Sequence, residues 1–240
     1  MTIGHLATAI YETAVISAPT VVEGLIGTLT AKKCDDRLQD WSRKLLDDAE
    51  IKLTVDGLDN APSDGREAFV VMSNHQSLYD VPVMFQALRR RVRMVAKAEL
   101  FKIPGWGRAM RLAGMVEVNR SDRKQAIASL DSARNALAQG TNIWIAPEGT
   151  RGPGGKALLP FKKGGFHLAT ASGARILPVS ISGTSRVLAA QGRSVTPGVS
   201  VHVHVHPPIA TSVYAPEDGG SASDELIEAV RTAIISGIQD

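Results

Sequence analysis

The 240-residue sequence contains a single cysteine, Cys34, few aromatic residues and no long apolar run. One cysteine forms neither an internal disulfide nor a cysteine-built metal site, so we expect a structural Cys34 and a reducing, cytoplasmic compartment. The sequence has no uninterrupted stretch of about eighteen apolar residues, the length that a transmembrane helix needs. No basic segment precedes an apolar run at the N-terminus. We therefore expect neither a membrane span nor a cleaved signal peptide.

Positive charge is modest overall but unevenly distributed. The formal net charge is +3, yet residues 86–163 contain sixteen basic and five acidic residues, a net of +11. Such a segment predicts an anionic partner, namely a phosphorylated substrate, an anionic membrane surface or a nucleic acid. A solvated basic face is the alternative for the cluster from Arg89 to Arg93. Aromatic residues make up only 5% of the sequence and are not interleaved with this cluster, which argues against nucleic-acid binding.

The stretch from Ser73 to Asp80 contains the candidate catalytic residues. It follows residues 68–72, an apolar run typical of a buried strand. Residues five apart lie about 140° apart around a helix, so His75 and Asp80 would not share a helix face. Pro82 suits the first turn of a helix that starts near it. We therefore expect residues 73–80 to form a loop that folds the Asp80 carboxylate onto the His75 imidazole.

That contact would have a chemical use. Asp80 would keep one ring nitrogen of His75 protonated, which leaves the other nitrogen to accept a proton from a substrate hydroxyl. The alternative is that Asp80 caps the following helix and His75 is an ordinary loop histidine.

Alternating strand and helix patterns predict an α/β fold, with a mainly parallel central sheet flanked by helices on both faces. Residues 1–50 are expected to form a short N-terminal helical appendage, with two helices broken at Pro19, that either lies on a membrane surface or docks on the domain. Residues 51–240 form the α/β domain. Three polar groups, His75 with Asp80, Arg120, and residues 148–151, follow strands that should end at the same sheet edge, where open α/β sheets bind ligands.

Two other sequence patterns suggest a nucleotide-binding site and a metal site, but they fit these sites poorly. The glycine-rich segment 149–157 lacks the first glycine and the terminal hydroxyl of a nucleotide-binding P-loop, since Thr150 and Ala157 occupy those positions. His202, His204 and His206 alternate along one strand and would share a face. Neighbours on one strand rarely surround a metal ion, and no carboxylate accompanies them in sequence. We expect instead the polar face of a late strand at the sheet edge.

Four motifs in order resemble those of the glycerolipid acyltransferases typified by 1-acylglycerol-3-phosphate acyltransferase. The first is a histidine and an aspartate separated by four residues. The resemblance covers roughly Asp36 to Thr184 and makes residues 51–240 an acyltransferase domain. The four motifs are Asn74, His75 and Asp80; Lys97, Glu99, Leu100, Pro104, Gly107, Gly114 and Arg120; Pro147, Glu148, Gly149, Thr150 and Arg151; and Ile176, Leu177, Pro178 and Val179.

This resemblance implies transfer of a fatty acyl group from acyl-CoA, or acyl carrier protein, to the free hydroxyl of lysophosphatidic acid, giving phosphatidic acid in phospholipid biosynthesis. It implies that His75 is the general base and that Asp80 orients it. The substrate would be bound by Asn74, Lys97, Arg120, Glu148, Gly149, Thr150 and Arg151. Neither a metal nor a cofactor is expected beyond the acyl donor. Glu148 would either pair with a cation or take the acceptor hydroxyl.

Two other functions fit the same residues. The acceptor could instead be glycerol 3-phosphate, another lysophospholipid or a glycolipid. A protein that binds anionic lipid without catalysis would also keep the fold and the basic residues. In each case we expect peripheral association with an anionic membrane surface.

Overall fold

The computed structural model describes residues 2–61, 67–119, 123–214 and 223–239. The strands are β1 (Lys52–Asp56), β2 (Val70–Ser73), β3 (Val92–Lys97), β4 (Val116–Val118), β5 (Asn142–Ile145), β6 (Ile176–Ser182) and β7 (Ser200–Val205). The helices are α1 (Thr2–Leu25), α2 (Ala31–Asp48), α3 (Asp80–Leu88), α4 (Ala98–Phe101), α5 (Trp106–Leu112), α6 (Arg123–Ala138), α7 (Gly164–Ser172), α8 (Thr184–Val187) and α9 (Asp224–Gly237).

The strands form one seven-stranded sheet in the order β1-β7-β6-β2-β5-β3-β4. Strands β6, β2, β5, β3 and β4 run parallel, whereas β7 is antiparallel to β6 and parallel to β1. The mainly parallel α/β sheet predicted from the sequence is confirmed. The five parallel strands therefore deliver the loops that follow them to one edge.

Both faces of the sheet are covered, because alternate residues of the central strands enter different cores. Val71 and Leu177 join the core that includes residues of α2, α3 and α5. Their neighbours Val70 and Ile176 join the opposite core, with residues of α6, α7 and α9. Burial on both faces fixes the strand register and hence the positions of the loops at the sheet edge.

The N-terminal segment differs from its prediction. Pro19 does not split it, since α1 runs without a break from Thr2 to Leu25. An interior proline removes one backbone hydrogen bond, so contacts elsewhere must hold the helix together. Ion pairs with α2 do so on both sides of Pro19: Glu12 with Lys44 at 3.1 Å and Glu23 with Arg37 at 2.9 Å.

The histidine strand also differs from its prediction. β7 is not an edge strand, because it lies between β1 and β6. The prediction that no carboxylate accompanies these histidines was wrong as well. Asp56 of β1 accepts a hydrogen bond from His202 Nε2 at 2.9 Å and contacts His204 Nδ1. His206, just beyond the strand, instead bonds through Nε2 to the Ser180 hydroxyl at 2.7 Å.

Helix α1 is 24 residues long. Even so, none of the helices in the described ranges combines enough length and hydropathy to cross a bilayer.

Candidate active site

His75 and Asp80 meet as the sequence predicted. Residues 74–79 form an irregular turn between β2 and α3, and Asp80 is the first residue of α3. His75 Nδ1 lies 2.7 Å from Asp80 Oδ2. Because an ionised carboxylate only accepts hydrogen bonds, Nδ1 carries the proton and Nε2 has a free lone pair. The His75 side chain is 20% exposed and that of Asp80 is 0% exposed, so the imidazole can be reached while its partner is shielded.

Four donors surround the Asp80 carboxylate. Besides the imidazole, Oδ2 accepts the backbone N–H groups of Gln76 at 2.7 Å and Ser77 at 2.9 Å. Oδ1 accepts the Thr184 hydroxyl at 2.5 Å. A buried carboxylate is costly unless its lone pairs are satisfied, and these donors supply that compensation.

Glu148 joins the histidine turn to the loop after β5. Its Oε1 accepts the His75 backbone N–H and its Oε2 accepts the Leu159 backbone N–H, both at 2.8 Å. The side chain is 3% exposed. Burial raises the pKa of Glu148, and the two backbone hydrogen bonds oppose that rise. Both oxygens of Glu148 thus hold backbone in place around His75.

The glycine-rich segment packs directly on the histidine turn. The Gly152 N–H donates to the His75 carbonyl at 2.7 Å. A Cβ on Gly154 would lie 2.7 Å from Ser185 Oγ and 3.0 Å from Gln76 Oε1, so a side chain does not fit there. Close approach to the histidine turn and to Glu148 accounts for Gly152 and Gly154.

Asn74 and Gln76 attach the turn to β6. Asn74 Oδ1 accepts the Ile181 N–H and its Nδ2 donates to the Ile181 carbonyl, both at 2.8 Å. Gln76 Nε2 donates to the same carbonyl at 3.0 Å. Asn74 is 1% exposed. Its amide therefore positions the turn and does not face solvent.

The remaining predicted substrate-binding residues lie in different surroundings. Lys97 ends β3 at the same sheet edge and is exposed, as is Thr150, while Arg151 is half-buried. Gly149, which is buried, sits in the turn after β5 with a φ of 73°. Arg120, two residues after β4, lies outside the described residues.

Sequence reasoning missed the contribution of β6 and α8. Gly183 and Thr184 follow β6, the last of the parallel strands along the chain, and Thr184 reaches Asp80. A hydroxyl residue directly after a strand that ends beside the histidine turn was the available signal. Separately, no group of three histidine, cysteine or acidic residues within the described ranges is arranged to hold a metal ion.

Comparison with known proteins identifies the family. A family model described as Acyltransferase matches residues 52–182, the span from β1 to the end of β6. This chain belongs to the Acyltransferase family. The match includes the histidine turn and Glu148, whereas Thr184 lies just beyond it.

Relatives and a solved structure agree with this family. The chain is 33% identical over 183 residues to mouse (Mus musculus) 1-acyl-sn-glycerol-3-phosphate acyltransferase alpha. It is 31% identical over 183 residues to a chloroplastic 1-acyl-sn-glycerol-3-phosphate acyltransferase of Arabidopsis thaliana. Each alignment covers 76% of this chain, but 63% of the mouse protein and 48% of the plant protein. This acyltransferase-family chain thus spans about half to two thirds of these relatives' lengths.

The structural match is more complete. The 1-acyl-sn-glycerophosphate (LPA) acyltransferase PlsC of Thermotoga maritima superposes with a TM-score of 0.76 and is 27% identical. The alignment covers 99% of this chain and 96% of the PlsC chain. The likeness therefore includes the N-terminal helices α1 and α2 as well as the sheet.

Proposed function

We propose that this protein transfers a fatty acyl group from an acyl thioester to the free hydroxyl of lysophosphatidic acid. The observation that carries the proposal is the partly exposed His75 imidazole, held by buried Asp80 at the carboxyl edge of the sheet, in a chain of the Acyltransferase family. The relatives and the PlsC structure are named for this acceptor, which supports lysophosphatidic acid over other hydroxyl compounds.

The reaction needs a base and no covalent enzyme intermediate. His75 Nε2 takes the proton of the acceptor hydroxyl as its oxygen attacks the thioester carbonyl carbon. The resulting oxyanion collapses, the carbon–sulfur bond breaks, and the thiolate leaves with the proton from the imidazolium. The products are phosphatidic acid, which contains the new ester bond, and one free thiol. Asp80 stays ionised and stabilises the imidazolium between these steps.

Cationic side chains at this edge would bind the acceptor phosphate. Arg151 lies three residues after the buried Glu148, and its guanidinium can offer paired donors to phosphate oxygens. Lys97 provides an exposed positive charge at the end of β3. Arg120, which the sequence also predicts to bind the acceptor, lies outside the described residues. Glu148 acts differently in this proposal, because its two oxygens already accept backbone N–H groups.

We further propose that α1 rests on an anionic membrane surface. Its ionisable side chains, His5, Glu12 and Glu23, pair with residues of α2, so the outer face of α1 carries no charge. Apolar surface turned toward water marks an interaction face. The exposed apolar residues of α1 are Leu6, Ala7, Ile10, Tyr11, Ala14, Val15, Ala18, Val22 and Leu25. Exposed Leu112 of α5, which lies beside Gly24 of α1, extends this apolar surface.

The test measures product and thiol together. Purified protein is incubated with acyl-CoA and, in separate reactions, lysophosphatidic acid, glycerol 3-phosphate or lysophosphatidylcholine. Free thiol is measured by colorimetry and lipid products by mass spectrometry. We expect phosphatidic acid and an equal amount of thiol with lysophosphatidic acid, and much less product with the other two. A parallel reaction with acyl carrier protein as donor compares the two carriers.

Other results of this experiment would support the alternative acceptors or a non-catalytic function. Faster acylation of glycerol 3-phosphate or lysophosphatidylcholine would replace the proposed acceptor and keep the chemistry. Binding to anionic vesicles with no product from any acceptor or donor would contradict the proposal in favour of a non-catalytic lipid-binding protein.

A further inference from the structure

The segment that follows β6 forms a support beneath the histidine turn. Thr184, the first residue of α8, donates its hydroxyl to Asp80 Oδ1 at 2.5 Å. At the end of α8, the Leu188 carbonyl accepts the hydroxyl of Ser77 at 2.7 Å. Both ends of α8 are thus bonded to the turn that carries His75. Gly183, with a φ of 93°, allows the chain to leave β6 toward the turn.

The position of Thr184 lets its hydroxyl affect the charge distribution of the Asp80 carboxylate as well as the packing around it. Both Thr184 and Asp80 are 0% exposed. Within the described part of the chain, His75 and Thr184 supply the side-chain donors to this carboxylate, one to each oxygen. Without Thr184, Oδ1 would be buried with no donor, and the negative charge would concentrate on the oxygen that faces the imidazole.

We propose that Thr184 is a positioning residue for the acyl transfer. It fixes the Asp80 carboxylate and thereby sets the orientation and the basicity of His75. Thr184 would act on the reaction only through Asp80 and His75. The kinetic consequences of this inference therefore rest on the proposed function.

The basicity of His75 should increase when the Thr184 hydroxyl is removed. A carboxylate with one donor fewer attracts the protonated imidazole more strongly, so His75 holds its proton to higher pH. Among the described residues, buried Glu148 is a second carboxyl group beside the turn, and its two hydrogen bonds to backbone do not involve Thr184. Tyr79 lies in the turn itself, and burial raises its pKa to about 12. A residue that acts only in packing would not move the pH dependence.

The experiment compares Thr184→Val, which keeps the shape, with Thr184→Ser, which keeps the hydroxyl. For Thr184→Val we expect kcat to fall about 10- to 100-fold, the cost of one hydrogen bond to a charged group, with KM for lysophosphatidic acid nearly unchanged. The acid limb of the kcat/KM profile should move to higher pH. Thr184→Ser should restore most of kcat and the original profile.

Thr211→Val is the matched control, because Thr211 is also buried but donates to the Ala174 carbonyl, two residues before β6 begins and away from the active edge. We expect it to keep the wild-type profile. Thr184→Val with wild-type kcat and pH profile would overturn the inference. So would an equal loss of activity in Thr184→Ser, because the hydroxyl would then not be the feature that matters.

A second readout is independent of turnover. The Nδ1 proton of His75 should give a downfield NMR signal that His75→Gln removes. We expect Thr184→Val, but not Thr184→Ser or Thr211→Val, to shift this signal and to raise the pH at which it titrates. An unchanged signal in Thr184→Val would contradict the role of Thr184 even in an active protein. A shifted signal in Thr184→Val, found together with a wild-type protein that transfers no acyl group, would contradict the proposed reaction alone.

Discussion

At the scale of single residues, Glu148 holds two stretches of backbone together, because its oxygens accept the N–H groups of His75 and Leu159. The histidine and aspartate could be predicted because their five-residue spacing and Pro82 required a turn after a buried strand. The role of Glu148 could not be predicted, because the sequence does not show whether its oxygens face substrate or protein. In the structure both oxygens bind backbone N–H groups of chain segments 73 and 11 residues away. Such long-range pairing leaves no mark on local sequence.

Replacing Glu148 by Gln tests its role as a backbone clamp. The amide keeps one acceptor oxygen, so its NH2 group would face the N–H of either His75 or Leu159. We expect the free energy of unfolding to fall by about 1–3 kcal/mol, the cost of a buried unpaired donor, together with a large loss of kcat. Urea denaturation and steady-state kinetics measure the two effects. A variant with full stability and a raised KM alone would instead indicate direct binding of the acceptor.

At the scale of elements, tertiary contacts decided the points that local patterns predicted wrongly. Pro19 indicated a break, yet α1 continues through it because ion pairs tie the helix to α2 on both sides. The alternation of histidine and valine along β7 suggested an edge strand, yet β1 pairs with β7 from Ser200 to His204. The alternation of apolar and polar residues did predict the strands and helices themselves, because burial on both sheet faces enforces it.

The outer face of α1 provides a prediction about membrane binding. Leu6 and Ile10 are 57% and 64% exposed. Changing both to Asp removes apolar surface from the proposed contact, which should weaken binding to phosphatidylglycerol vesicles roughly 10- to 100-fold. Vesicle sedimentation measures the affinity. Val213→Asp, at an exposed valine on a different part of the surface, is the control and should bind as wild type does. Equal binding by all three proteins would contradict a membrane role for α1.

The end of β7 provides a prediction about pH. Burial, and then the nearby His204, lower the pKa of His206 to about 4 from its ordinary value of 6.5, whereas Asp56 acts in the opposite direction. Folding therefore favours neutral His206. Its contribution to stability is complete above pH 6.5 and is lost as pH falls from 6.5 to about 4.

We expect wild type to lose stability over this pH range relative to His206→Gln, which can still donate a hydrogen bond to Ser180. Urea unfolding at several pH values between 7 and 4 measures the difference. Parallel stability curves for the two proteins would show that His206 does not titrate in this way.

At the scale of the whole molecule, the fold follows from the sequence more readily than the site does. Alternating strands and helices predicted the parallel sheet and the shared edge where β2, β3 and β5 end. The basic excess in residues 86–163 was less informative, because part of it is used within the protein. Arg91 and Arg93 both pair with Asp35, and Arg111 pairs with Glu117. Such pairing depends on packing and could not be predicted from the charge count.

The central claim is that one oriented imidazole at this edge drives acyl transfer directly. It is tested most directly by kcat for phosphatidic acid formation in wild type, His75→Ala and the control His167→Ala, with thermal unfolding of each. General-base assistance contributes about 10² to 10⁴ in rate, so we predict a loss of that size in His75→Ala alone, with its melting temperature nearly unchanged. A folded His75→Ala protein that forms phosphatidic acid at the wild-type rate would contradict the account.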